Sequence, residues 1–163
     1  MNAEQSQTFE VTTPNDREIV MTRTFNADRA RVFRAFTEPE LIRRWLLGPD
    51  GVSMPLCEVD LRPGGRFHYR WRHDESGWER GLIGTFRDVE APARIVYRED
   101  HDEEGNEGDA TVTTTFVEHN GVTTVTMSMC FDSRELRDKA MESGQVEGTR
   151  MCFDRLADVV LNA

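Results

Sequence analysis

Four histidines, His68, His73, His101 and His119, are the first side chains to weigh for proton transfer or metal ligation. They are scattered, and none has a second ligand four residues away with an acid between, so metal catalysis is not expected. His68 is opposite in parity to Phe67 and Tyr69 and is expected to face solvent. The stretch Asp100-His101-Asp102-Glu103-Glu104-Gly105 imitates the start of a calcium loop, with acids at positions one, three and five and glycine at six. Position twelve is Thr111 where a bidentate Glu is needed, and the flanks read as strands, so a solvated hairpin loop is the better account. Cys57, Cys130 and Cys152 are odd in number and lack CxxC spacing. They read as small buried apolar residues rather than a disulfide framework or a zinc knuckle. There is no nucleophile elbow, Walker loop or dinucleotide fingerprint, and no cofactor is expected.

The chemistry that does stand out is apolar. In Arg66-Phe67-His68-Tyr69-Arg70-Trp71-Arg72, aromatic and basic residues alternate with the period of a half-buried strand. Phe67, Tyr69 and Trp71 then share a face. With Phe116, Met127, Met129, Cys152 and Phe153 they form the best candidate lining of a pocket, to which Trp45 and Tyr97 are added. Plain core packing explains the same residues, because a domain of this size needs most of them for its interior. Tyr69, Tyr97, Arg98 and Glu79 are the polar groups able to orient a ligand. A buried Glu beside an Arg would point to acid-base chemistry on a carbonyl compound, but sequence does not locate such a pair.

These residues must be positioned by a recognisable series of elements. Residues 1–16 are polar, contain Pro14 and Asn15, and read as a flexible tail or the lead-in to an edge strand. Residues 17–163 read as one domain. Glu18 to Phe25 is a strand. Asn26 or Asp28 caps a helix carrying Val32, Phe33 and Phe36. Thr37 and Glu40 have capping-box spacing around Pro39, which predicts a second short helix burying Leu41, Ile42 and Trp45. From Val52 onward the chain reads as strands, including Leu82 to Val89, Ile95 to Arg98, Thr111 to Val117 and Val122 to Phe131. Pro63-Gly64-Gly65 and Asn120-Gly121 are turns. Val125, Met127, Met129 and Phe131 share the core face of the last strand. Asp132 or Ser133 caps a final helical region interrupted near Gly144, with an apolar stripe through Val146, Cys152, Phe153, Leu156, Val159 and Val160. The expected fold is α+β: a curved antiparallel sheet wrapped around a long C-terminal helix, with two short helices after the first strand.

A net charge of −10 over 163 residues argues against nucleic acid as a partner. Arg66, Arg70 and Arg72 are read as a solvated face paired with nearby acids. The N-terminus lacks a basic start and an apolar stretch, and no run of 18 apolar residues occurs, so membrane insertion is not expected and a reducing cytoplasm fits.

The strings TRTFNADRARVFRAFTEPELIRRWL, EVDLRPGGRF, GTFRDVEAPARIVY, TTVTM and EGTRMCFDRLADVV occur in the order given. In combination they resemble the START-like, or SRPBCC, superfamily with its helix-grip fold. Within it they resemble the family homologous to the C-terminal domain of the activator of heat shock protein 90 ATPase. The resemblance covers roughly residues 17 to 161 and implies a ligand-holding cavity. For some relatives it implies polyketide cyclization or chaperone stimulation. One departure is Thr149, where that family usually carries Trp after the glycine at Gly148. It implies a larger pocket and adds Thr149 to the candidate lining.

The leading expectation is a binding domain for a small hydrophobic or amphipathic molecule, with a cyclase or hydrolase-type enzyme second. A protein-interaction domain touching a chaperone ATPase is third, weakened because eukaryotic activators carry an additional N-terminal domain. Oligomeric state is left open.

Overall fold

The computed structural model describes residues 9–100 and 110–162. The sequence Asp100–Gly105, weighed above as a calcium loop, lies outside the described residues except for Asp100.

The chain begins with β1 (Glu10–Thr12) and β2 (Glu18–Phe25), followed by α1 (Arg29–Thr37) and α2 (Pro39–Trp45). Part of the expected tail therefore belongs to the fold: Glu10, Val11 and Thr12 pair with β2 as an edge strand, and Phe9 meets Phe153 edge-on at 5.9 Å. Asp28 caps α1, its side chain accepting from the Arg31 backbone N–H. The capping box expected at Thr37 is not formed. Thr37 closes α1 instead, donating its hydroxyl to the Phe33 carbonyl, and α2 starts with Pro39 after Glu38, which makes no side-chain cap bond.

Six further strands follow: β3 (Val52–Val59), β4 (Arg66–His73), β5 (Glu79–Glu90), β6 (Arg94–Asp100), β7 (Ala110–His119) and β8 (Val122–Phe131). With β1 and β2 they make one antiparallel sheet in the order β1-β2-β8-β7-β6-β5-β4-β3. The path through α1 and α2 carries the chain from β2 near one edge to β3 at the other, so the rest of the sheet closes by hairpins. Strand period and register then fix the inner face. Phe67, Tyr69 and Trp71 of β4 stand opposite Gly84, Leu82 and Arg80 of β5, and Tyr97 of β6 stands opposite Val112 of β7.

The helices α3 (Arg134–Glu142) and α4 (Gln145–Asn162) cover that face. Ser133 caps α3, and the break between the two falls at Gly144, whose φ of +86° favours glycine. Phe153, Leu156 and Val160 of α4 are fully buried, and Phe153 meets Phe25 and Trp45 as well as Phe9. Each such side chain contributes roughly 1.5–3 kcal/mol by leaving water.

Two apolar clusters result. The larger gathers α1, α2 and the buried stripe of α4 with Phe67, Tyr69, Trp71, Phe86 and Phe116. The smaller holds Ile19, Met21, Val112, Met129 and Phe131 with Ala140 of α3. Of the three cysteines, Cys57 and Cys152 are buried as expected. Cys130 is exposed, because it sits on the outer face of β8 between Met129 and Phe131.

Candidate functional site

On the inner face of the sheet most side chains are sealed, but Leu82, Tyr97 and Met127 are only half-buried although the register turns them inward. Ile95, Val112, Val125 and Met129 beside them are buried. Tyr97 and Met127 pack against both apolar clusters, so they mark the seam between the two. An inward residue that keeps accessible surface faces space that no neighbour fills. The first part of α4 reaches this face where the Gln145 amide meets the Met129 sulfur. Gly148 lies one turn before Cys152 and two before Leu156 on the same row, and a Cβ built on it would meet nothing within 4 Å. Thr149 beside it is half-buried and turns its hydroxyl back to the Gln145 carbonyl at 2.9 Å.

The residues singled out in sequence fall into two groups around this seam. Trp45, Phe116 and Phe153 lie in the aromatic core under the short helices, where Phe36 bridges all three. Trp45 donates its indole N–H to the Ala35 carbonyl at 2.8 Å. Phe67, Tyr69, Trp71 and Tyr97 form a continuous aromatic wall on β4 and β6, with ring centroids 4.7 Å apart for Phe67–Tyr69, 5.9 Å for Tyr69–Trp71 and 4.8 Å for Phe67–Tyr97. Trp71 donates to the Leu46 carbonyl at 2.7 Å, and the Arg80 guanidinium lies over its ring, 5.5 Å from the centroid. Met127, Met129, Thr149 and Cys152 are on the elements that bound the seam, Met129 receiving the Gln145 amide at 3.7 Å. Burial pushes the phenols of Tyr69 and Tyr97 and the thiol of Cys152 above their ordinary ranges, so all three stay neutral.

Two of the polar candidates point elsewhere. Arg98 projects from the outer face to Asp132 and Thr111, and Glu79 is partly exposed with Arg70 at 3.7 Å. The buried polar groups on the inner face are Thr114, Thr123, Glu99 and Arg23, the last paired with Asp154; Glu99 is the acid among them, and sequence reasoning passed over it. It lies two residues after Tyr97 on the same face of β6, opposite Gly84, and is 7% exposed. Desolvation lifts its carboxyl to about 7, against the opposing pull of the Arg80 and Arg98 charges. The signal that would have found it is parity: Ile95, Tyr97 and Glu99 alternate, and β6 runs on to Asp100.

The outer face carries a distinct hollow of about 250 Å³ lined by Glu58, Arg66, Phe67, His68 and Ile83. Glu58, His68 and Ile83 are cross-strand neighbours on the outer face, where parity places His68, although its ring is partly covered and Nε2 is buried. Among the described residues no group of three or more His, Cys, Asp or Glu is arranged to hold a metal, and no helix is long and apolar enough to cross a membrane.

An antiparallel sheet gripping a C-terminal helix, with two short helices bridging its edges, defines a helix-grip domain of the START-like superfamily. The family model described as Activator of Hsp90 ATPase homolog 1-like protein matches residues 26–160, and the chain belongs to that family. Solved structures agree in fold. A protein from Rhodobacter sphaeroides superposes with a TM-score of 0.85 at 22% identity, over 95% of this chain and 99% of that one. A protein from Mycobacterium smegmatis gives 0.81 at 23% identity, over 93% and 96%. An AHSA1-like protein from Aeromonas hydrophila gives 0.69 at 22% identity, over 88% and 92%. The comparison with curated proteins finds no match.

Proposed function

We propose that this chain binds a small, mainly apolar molecule in the seam between the inner face of the sheet and the first half of α4. The observation that carries this is the half-buried, inward-facing trio Leu82, Tyr97 and Met127 lying between buried neighbours. Flexible Met127 and the aromatic wall suit an apolar guest of irregular shape. Family membership supports the same reading, since the superfamily resemblance implies a ligand-holding cavity. The free thiols Cys57, Cys130 and Cys152 agree with a reducing, cytoplasmic setting.

A thermal-shift screen of small aromatic and aliphatic compounds tests this. A compound at a hundred times its Kd stabilises the folded chain by about 2.7 kcal/mol, or roughly 5 to 11 °C for a domain of this size. A screen in which no apolar compound raises the melting temperature would sink the proposal.

The cyclase or hydrolase reading has one observation in its favour: Glu99 is an inward acid whose carboxyl sits near neutrality, where proton transfer works best. The His73 Nδ1–Ser76 Oγ pair, at 2.8 Å, sits in the exposed turn between β4 and β5 rather than on the inner face with Glu99, so binding remains the reading we adopt. Chaperone contact finds little support on the surface: the exposed large apolar residues Trp78, Val117, Met141 and Leu161 are spread over separate parts of the fold.

A further inference from the structure

Glu99 poses a question that apolar binding leaves unanswered. It is more than nine-tenths buried, it faces the interior, and among the described residues it has neither a hydrogen bond nor an ion pair. A buried carboxyl without partners costs several kcal/mol, and such groups are rare in native folds unless something outside the chain completes them. The fold offers it little. Gly84 opposite has no side chain, and the Phe67 ring occupies the place where one would be, within 2.1 Å of a Cβ built there. Arg98 on the same strand is held by Asp132. Arg80 on β5 stacks on Trp71 and keeps its charge exposed to water, where screening weakens its reach. Tyr97, on the same strand, is the further group that interacts with it, and it is neutral.

The surroundings say what would complete it. The carboxyl stands beyond an aromatic wall of Phe67, Tyr69 and Tyr97, whose ring faces carry negative charge density. Acid and rings together form a site of negative potential in an apolar interior. An anion is repelled there and a neutral hydroxyl satisfies one lone pair. An ammonium group supplies up to three donors, cancels the buried charge, and gains from the ring faces.

We propose that Glu99 anchors a protonated amine, so that the guest of this site is an amphipathic molecule with an apolar, preferably aromatic, body and one primary or secondary ammonium group. The inference rests on the seam being the binding site. It adds the class of ligand and the residue that selects it.

Three probes of one shape separate the possibilities: 2-naphthylmethylamine, 2-naphthylmethanol and 2-naphthoate, titrated calorimetrically at neutral pH into the full chain and its Glu99→Gln variant. The amine is expected to bind the unaltered chain about ten-fold more tightly than the alcohol, with the naphthoate weakest. In Glu99→Gln the alcohol should keep its affinity while the amine falls to within about two-fold of it. Circular dichroism of the variant guards against loss of fold. Equal binding of amine and alcohol by the unaltered chain would overturn the assignment of Glu99 while leaving the apolar site standing. So would an amine preference that survives in Glu99→Gln, or a naphthoate that binds best. Failure of all three probes would remove both.

Discussion

Replacing Glu99 by Gln should change how stability responds to pH, in a direction opposite to that of most carboxylates. The folded chain holds the Glu99 proton up to about 7, whereas an exposed glutamate releases it near 4.5. Below the lower value the group is neutral in both states and costs little. Between the two the folded state binds more protons than the unfolded one, so stability falls as pH rises, and above about 7 the whole penalty is present. The interval corresponds to about 3 kcal/mol at roughly 1.4 kcal/mol per unit. Glutamine has the shape of the neutral acid and never ionises. The variant should therefore match the parent near pH 4 and exceed it by about 3 kcal/mol above pH 8, a gain of roughly 6 to 12 °C in Tm. Urea titrations followed by far-ultraviolet circular dichroism across that range read the difference directly. Asp132, held below the usual carboxylate range by hydrogen bonding to Arg98, loses its contribution as pH falls, but it is common to both proteins and cancels. An advantage of Glu99→Gln that does not grow with pH, or a variant less stable at high pH, would refute the placement of an ionisable, unpaired acid in the interior.

Other substitutions probe the seam and its walls. Thr149→Trp adds bulk at a half-buried position on the first turns of α4; if the proposed site lies there, apolar probes should lose at least about ten-fold in affinity by calorimetry while the fold is kept. Leu156→Ala empties a fully buried position on α4 and should cost about 2 to 5 kcal/mol in urea melts. Gly84→Ala sets a methyl group into the Phe67 ring, 2.1 Å from its nearest atom, and should destabilise by about 1 to 3 kcal/mol, with near-ultraviolet circular dichroism reporting the displaced aromatic wall.

Much of this architecture was legible because strands with one covered face must alternate. Val125, Met127, Met129 and Phe131 turned inward as the pattern required, His68 turned out, and the helix break fell at Gly144. Local signals failed where another bond competed. The Thr37 hydroxyl served α1 rather than α2, and Cys130 followed strand parity to the surface rather than the apolar habit of its type. The site was harder to see because the residues that wall a gap and those that fill a core are chemically alike. Trp45 and Tyr97 are both aromatic, yet one is sealed beneath Phe36 and the other stands half-open at the seam. Glu99 escaped notice because it opens the acidic run that continues through Asp100, Asp102, Glu103 and Glu104, so its charge suggested a loop although its parity belonged to the strand.

Why the interior divides where it does follows from the helix break. A single straight helix over this sheet would bury one stripe and press on one cluster. Gly144, in the left-handed region at φ +86°, ends α3 and lets α4 restart in a new direction. Ala140 and Leu136 of α3 then serve the smaller cluster while Phe153, Leu156 and Val160 of α4 serve the larger. The stretch between them bears Gln145, Gly148 and Thr149, residues of little apolar bulk, and it is here that the proposed guest would lie. In the proposed site a guest lodged there would complete Glu99 from outside the chain, which is why an acid buried without a partner among the described residues can persist.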